Sequence, residues 1–365
     1  MTRVLRKIAG LMDHLRNAEG LSRPDETPFE PLQIESLTVR CETSWPVDAA
    51  FLQKWKDLSI QLPAGTPFHG PAWQIAGWTA GRILGRIRFI TVDRAGELLA
   101  VLPLCLNPNG GLHSPGASIS DYLDPLIVPE HEPACWAAIL AFVADQWDRK
   151  IVEFTLHNNR EWAACRSILP TLAETAGFSL EETLVEYAPA IQLPASWDEY
   201  LTSLDAHERK ELRRKINKAE TKGEARLQKC EDASLLEKAL VSMESVGGEK
   251  GASVSGYVRP LIQAVAPALM RESRLELWIL HILGQPACYL IQLTSSMGPM
   301  LYNLGYELSM KEWSPGVVAV GLSIRNAIMA EAKVFDLLRG REPYKHKLGG
   351  IDRPLYRLTL KRKPM

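Results

Sequence analysis

The sequence predicts a mixed α/β fold, an α+β arrangement of mixed sheets, laid down twice in tandem. Segments with strand alternation are interleaved with segments of helical period along the whole chain. The order of those segments in the first half recurs in the second, as a duplication would leave it. The bulk composition agrees: 365 residues, 46% apolar and 23% charged, are enough for two ordinary cores.

Residues 1–30 form a leader. Within residues 2–18, Val4, Ile8, Leu11, Met12 and Leu15 make an apolar stripe, with Arg3, Arg6, Lys7 and Arg16 elsewhere, which predicts a basic amphipathic helix. Pro24, Pro28 and Pro31 then break the chain. Such a helix can make peripheral membrane contact or dock on a partner, although packing on its own domain is the commoner outcome.

The first domain is expected at 31–190. Its strands are read at Leu37–Glu42, Ile87–Val92, Glu97–Leu106, Ile151–Leu156 and Leu180–Tyr187, with Asp93–Gly96 as a hairpin turn. Helices are read at Val47–Leu58, Ala72–Leu84, Glu132–Trp147 and Glu161–Ala176. The stretch Pro189–Pro194 is the expected joint, and 191–365 the second domain, opened by an extra helical segment at Trp197–Lys222. There follow strand Ala225–Lys229, helices Ser234–Val246 and Gly256–Arg271, and strands Leu275–Leu283, Ala287–Thr294 and Met300–Glu307. A helix from Trp313 to about Lys333 and strands Val334–Leu338 and Leu355–Leu360 complete the repeat.

Function classes narrow quickly. With 42 Lys plus Arg against 43 Asp plus Glu, affinity for phosphate or nucleic acid has to come from a local patch. The six cysteines show no Cys-x-x-Cys pair and no zinc-type histidine spacing, so no metal site is expected and the thiols read as reduced core residues. No apolar run is long enough to span a bilayer and no secretory signal stands at the N-terminus, which makes the cytoplasm the expected compartment. The signatures of serine hydrolases (Gly-x-Ser-x-Gly), P-loop enzymes and zincins are absent.

The helix opened by Trp313-Ser314-Pro315-Gly316 carries the strongest site signal. Pro315 suits a first helical position, Ser314 is placed to cap the exposed amides, and Gly316 lets a ligand approach the backbone. Free amides and the helix dipole together favour a phosphate, with Val317 and Val318 continuing the cradle. In the first half the corresponding stretch is Pro129-Glu-His-Glu-Pro133, whose carboxylates would repel one. A phosphorylated cofactor is therefore expected in the second half.

Five separated motifs carry a family resemblance: Trp197–Leu201, Arg209–Lys215, Gly305–Glu307, Ser314–Gly316 and Phe335–Lys345. Together they resemble the cellulose-biosynthesis type acetyltransferases of the GNAT superfamily, which are related to the Fem peptidoglycan aminoacyl ligases. The resemblance covers roughly residues 195–348 by motif. It implies a tandem GNAT-like, acyl-CoA N-acyltransferase fold, with acetyl-CoA or another acyl-CoA as co-substrate and its pyrophosphate on the backbone from Ser314 to Val318. GNAT enzymes usually hold phosphate on a longer glycine-rich loop, whereas one glycine lies in this turn.

Acyl transfer needs a base, a group that orients the carbonyl, and an acid for the departing thiolate. Tyr344 follows the last strand of the cleft, where the resemblance implies a tyrosine acid. Asp336, mid-strand between apolar neighbours, has to be paired with Arg339 or Arg341 or else act as a base. Glu307 and Asn303 are the alternative base and carbonyl-orienting residues. Lys345 and Arg339 stand where an anionic group would be met. Arg213 and Arg214, in the basic helical run 209–222, suit an anionic acceptor, the cofactor's ribose phosphate or tRNA, or else form a solvated face. The run lacks the aromatics that stack on bases, which argues against DNA and weighs against tRNA. In the first half, Asp121 and Tyr122 of the loop 118–125 are candidate acceptor contacts, with an ordinary turn as the simpler account.

The function expected is acyl transfer to an amine or hydroxyl of a small-molecule, sugar or lipid-linked acceptor in polysaccharide or cell-envelope metabolism. A Fem-like transferase using aminoacyl-tRNA and a non-catalytic binding protein are the competing readings.

Overall fold

The computed structural model describes residues 30–46, 48–80, 85–146, 153–230, 235–245 and 258–363. The amphipathic leader helix expected at 2–18 lies outside them. The chain divides into two compact units, one made of residues 1–185 with 355–365 and one of residues 186–354.

The first unit holds β1 (Leu32–Ile34), β2 (Leu37–Glu42), α1 (Ala49–Gln61), α2 (Pro71–Thr79), β3 (Arg86–Arg94), β4 (Glu97–Leu106), β5 (Gly111–His113) and β6 (Leu126–Ile127). They are followed by α3 (Glu132–Gln146), β7 (Glu153–Arg160), α4 (Cys165–Thr175) and β8 (Phe178–Tyr187). The hairpin turn between β3 and β4 forms where it was expected, with Ala95 and Gly96 both at positive φ. Among the described residues the sheet order is β1-β2-β3-β4-β5-β7-β15-β8, where β15 is the last strand, Pro354–Arg362, and β6 lies on β4. Alternation in the strands sends Leu102, Leu104, Phe154 and Leu156 into a core with Trp136, Ile139 and Phe142 of α3. Phe89 and Val101 go to a second core with Trp55 of α1.

The second unit begins with β9 (Ala190–Gln192), α5 (Trp197–Ser203), α6 (Ala206–Gly223), β10 (Arg226–Cys230), α7 (Leu235–Ser245) and α8 (Arg259–Arg271). Then come β11 (Leu275–Ile282), β12 (Gln285–Ser295), β13 (Gly298–Tyr306), α9 (Pro315–Met329), β14 (Val334–Asp336) and α10 (Pro343–Lys347). Its sheet order is β10-β11-β12-β13-β14-β9. Leu212, Ile216 and Ala219 of α6 and Val318, Leu322 and Ile324 of α9 pack with Leu280, Leu290 and Phe335 of the strands. On β13, a Cβ at Gly305 would stand 2.5 Å from the Met243 backbone nitrogen, so glycine is what lets α7 lie backbone to backbone on the strand.

The helical segment expected at 197–222 forms as two helices, because Ser196 caps Glu199 N (3.2 Å) and Asp205 caps His207 N (2.8 Å), each side chain starting a new helix. Two expectations are corrected. The expected joint at 189–194 is a strand, β9, which pairs antiparallel with β14. The last strand, β15 (Pro354–Arg362), does not complete the second half; it pairs with β7 in the first sheet.

The two sheets nevertheless follow one plan. In each, a parallel pair bridged by a helix (β5 with β7, β13 with β14) is flanked by an antiparallel strand (β15 and β9). The chain therefore exchanges equivalent strands. β9, which follows β8, joins the second sheet, and β15, which follows α10, joins the first.

Candidate functional site

In the second sheet β13 and β14 share a single parallel pair, Met300 with Asp336. β13 then continues to Tyr306, paired with β12 on one side and, among the described residues, with no strand on the other. A register shift opposite Ile291 and Gln292 leaves Tyr302 as an extra residue in β13, a bulge that bends the strand at this point. Asn303 beside it turns back, its Oδ1 accepting from Leu304 N at 2.8 Å.

From β13 the chain passes through a 3-10 turn, Leu308–Trp313, into α9. Ser314 links them in a left-handed conformation, φ 51°, donating its amide to Lys311 O and accepting from Val318 N. Its hydroxyl does not cap the helix, contrary to expectation, because the left-handed backbone turns the side chain away from the first amides. A non-glycine residue held so costs on the order of 1–3 kcal/mol, and such strain is typically found at functional turns. Pro315 has no N–H, and the amides of Gly316 and Val317 lie in the first turn, where no intrahelical acceptor exists. No acidic residue stands in that turn. A Cβ at Gly316 would meet Leu304 and Tyr306 at 3.5 and 3.7 Å, ordinary contact distances, so internal packing does not demand glycine there.

Lys218, which sequence reasoning left among the other basic residues of its helix, stands beside this turn. Its Nζ donates to Glu312 O (3.1 Å) and lies 4.6 Å from the centre of the Trp313 ring. Periodicity placed it on the polar side of α6, but nothing local showed which part of that side meets the 3-10 turn.

The comparable helix start in the first unit is acidic, as expected. Glu130 and Glu132 stand in the first turns of the 3-10 segment Pro129–His131 and of α3. Burial first, and Asp124 second, push the Glu132 carboxyl up to about 7. A carboxyl raised in the folded state contributes stability that is complete below its unfolded value and is lost as pH rises toward 7. Glu132→Gln is accordingly expected to raise the urea midpoint over wild type at pH 8 and to leave it unchanged at pH 4.

The residues expected to carry chemistry fall in two places. Glu307 follows β13, its amide held by Ala287 O, and its charge adds to burial in raising the Tyr289 phenol of β12. Asp336 lies at the end of β14 and accepts from Leu338 N at 2.8 Å, fixing a turn in which Leu338 has φ 57°. Arg341 is engaged elsewhere, at 2.8 Å from Asp352 and with its guanidinium 4.7 Å over the Tyr187 ring.

Lys345 is buried at 4% exposure, its Nζ donating to Leu338 O (2.9 Å) and Arg339 O (2.6 Å) and pairing with Glu342 at 3.1 Å. This corrects the expectation that Lys345 meets an anionic substrate. Its ammonium instead holds the loop that Arg339 belongs to. Tyr344, half-buried against the cluster of α6 and α9, makes no hydrogen bond through its hydroxyl among the described residues. Burial, and then Glu342, hold its phenol well above the usual tyrosine range.

Arg213 and Arg214 line a separate groove of about 450 Å³ with Trp197, Asp198, Glu220 and Arg325. Each arginine there has a carboxylate: Arg213 with Asp198 at 3.8 Å, Arg214 with Glu211 at 2.8 Å, Arg325 with Glu220 at 2.6 Å. The groove does not include the start of α9. Exposed pairs of this kind contribute about 0.2–1 kcal/mol, so the Arg213→Gln/Arg214→Gln double variant should shift thermal unfolding by only a few degrees.

In the first unit Tyr122 is buried under the Arg160 guanidinium (4.9 Å) and against Phe68, and Asp124 of the same loop is ion-paired with Arg160 at 2.6 Å. Tyr122 is thus a core residue and not an acceptor contact, while Asp121 next to it is partly exposed. Among the described residues no group of three or more His, Cys, Asp or Glu side chains is placed to hold a metal, and no helix is long and apolar enough to cross a membrane.

Residues 206–346, which contain α6 and α9 and extend to α10, match the acetyltransferase (GNAT) domain family. Among curated protein sequences none matches the chain. The fold is similar to that of FemX, with a TM-score of 0.62 at 11% identity over 84% of this chain and 95% of that one. It is also similar to the C-terminal domain of an Agrobacterium fabrum protein designated a candidate lysylphosphatidylglycerol synthetase, with a TM-score of 0.53 at 11% identity over 86% and 91%. A conserved Bacteroides thetaiotaomicron protein of unknown function gives 0.52 at 12% identity over 88% and 99%. These likenesses are of fold. Residues 206–346 thus match a GNAT-type domain and the architecture is mixed α/β, while nothing in these likenesses singles out the cellulose-biosynthesis subtype.

Proposed function

We propose that the second unit transfers an acyl group from acyl-CoA, acetyl-CoA being the simplest donor, to an amine or hydroxyl acceptor. The observation that carries this reading is the start of α9. An acid-free helix N-terminus with unpaired Gly316 and Val317 amides stands beside Lys218, within the segment that matches the GNAT domain. These residues suit a pyrophosphate. Gly316, which packing does not require, leaves its backbone open to one. Beyond Met300 no strand flanks β13 on this side among the described residues, which suits an amide-containing arm lying along it. Bound acyl-CoA would supply a thioester, whose carbonyl carbon is open to attack and whose thiolate is a good leaving group.

In this reading the acceptor's N–H or O–H proton passes to Glu307, or to Asp336, while the new acyl bond forms and the C–S bond breaks. Tyr344, with its unpartnered and firmly protonated hydroxyl, gives the departing sulfur its proton. Asn303 orients the carbonyl. Among the described residues none of the six cysteines forms a disulfide, which fits a reducing compartment, and we place the reaction in the cytoplasm. Acceptors on sugars or lipid-linked precursors suit the reading, with tRNA the less favoured partner.

The direct test is calorimetric titration with acetyl-CoA, with an adenine nucleotide lacking the pantetheine arm as control. Wild type should bind saturably. Gly316→Asp, which puts negative charge and bulk at the first turn, should weaken binding at least about tenfold, roughly 1.4 kcal/mol, with the circular dichroism unchanged. Unchanged affinity in that variant would remove the site, and absence of binding by wild type would remove the donor.

A further inference from the structure

The first unit carries a polar pocket of about 290 Å³ on one face of its sheet, separate from every residue assigned above to acyl transfer. β7 and β15 build its floor, with Thr155 opposite Thr359 and Glu153 opposite Lys361. The intervening residues, Phe154, Leu156, Leu358 and Leu360, enter the core on the opposite face, so alternation alone sends the polar set to the pocket. His113 of β5 joins them from the register position beside Thr155.

Charge is segregated along these strands. At one end Lys361 lies opposite Glu153 and 3.5 Å from Glu181 of β8, so its charge is matched. At the other end, about 13 Å away at roughly 3.3 Å per residue, is Arg357. It falls in the irregular stretch between the pairs Leu358 with Leu156 and Tyr356 with Asn159, level with His157. Among the described residues Arg357 has no ion pair and no hydrogen bond, and its Nε is buried without a partner. A buried donor left in this way normally meets a group from outside the chain.

We propose that this pocket is a receptor for an oxyanion, the carboxylate or phosphate monoester of a small ligand, held by the Arg357 fork with His157 and His113 beside it. The planar guanidinium matches two oxygens of either group. Thr359 adds a hydroxyl midway along the floor, whereas that of Thr155 donates to Glu153 at 2.8 Å. Glu153 and Glu181 disfavour a second anion at the far end, so the rest of the ligand is neutral or cationic.

His157 reports occupancy. Burial, then His113 and Arg357, hold its imidazole down to about 4, against a smaller pull upward from Glu153. An anion on Arg357 offsets one of those causes and moves the titration upward; His113, Arg357, Glu153, Lys361 and Glu181 are the charged or titratable groups facing it. The experiment is a histidine-ring NMR titration of the full chain with sodium phosphate, and separately with sodium acetate, at ionic strength held constant with chloride.

Saturable shifts of the His113 and His157 rings, with the His157 midpoint raised by half a pH unit or more, are expected. Arg357→Gln should weaken the response at least tenfold, and Arg357→Lys, which keeps the charge and loses the fork, by less. Phosphate saturating first would identify a phosphate monoester and acetate a carboxylate. Shifts that do not saturate, or that equal those in chloride, would overturn the proposal even if Arg357→Gln failed to fold. So would an unchanged response in a folded Arg357→Gln. The measurement needs neither acyl-CoA nor turnover, so its failure leaves the reading of α9 untouched.

Discussion

Asp124→Ala is expected to destabilise the protein by about 3–5 kcal/mol, the cost of leaving a buried charge without its partner. Asp124 is 5% exposed and accepts from both the backbone amide and Nε of Arg160, at 2.7 and 2.6 Å. The same guanidinium donates to Ala64 O and lies over the Tyr122 ring, so removing the carboxylate loosens three segments together. His69 Nε2 stands 4.0 Å from the same carboxylate. Urea unfolding followed by tryptophan fluorescence measures the loss. Asp124→Leu combined with Arg160→Met should recover most of it, since well-packed apolar residues replace a buried pair at little cost. A loss below about 1 kcal/mol in Asp124→Ala would mean that water reaches the pair, and the loop 118–125 would again be open to a ligand.

That loop shows where reading from sequence reaches and where it stops. Asp121, Tyr122 and Asp124 are polar residues in a turn-rich stretch, and such a stretch reads as exposed. The burial of Tyr122 and Asp124 depends on Arg160, 36 positions from Asp124, arriving from β7, and local pattern carries no record of that. Lys345 is the same case. A lysine close after Pro343 reads as a cation open to an anionic group, whereas the loop at 338–342 folds over its Nζ and uses it as a donor.

Periodicity identified most strands and helices because each has one buried face, but a strand's period says nothing about its neighbour. β15 was therefore legible as a strand and illegible as a member of the first sheet. The start of α9 was legible because Ser-Pro-Gly has a narrow set of backbone uses. The left-handed Ser314 was not, because Lys311 and Val318 together impose it. Arg213 and Arg214 drew notice as a basic pair, and Lys218, one turn on, is the cation that stands beside the α9 turn.

Tyr344→Phe is expected to lower kcat by about 10² or more while leaving the KM for the acyl donor and the stability close to wild type. The stability part follows from the hydroxyl having no partner among the described residues. Removing an unpaired group forfeits no hydrogen bond, so the change should stay within about 0.5 kcal/mol. The kinetic part follows from protonation. With its phenol raised by burial and by Glu342, Tyr344 keeps its proton as pH rises and is in its acid form when the C–S bond breaks. For the same reason kcat in wild type should show no decline from Tyr344 ionisation as pH rises to 9.5. The assay is release of free thiol from acetyl-CoA with an amine or sugar acceptor, read in single turnovers so that chemistry limits the rate. A Phe variant within threefold of wild type under those conditions would transfer the acid role to water or to another residue, and Tyr344 would then be an anchor that joins α10 to the cluster of α6 and α9.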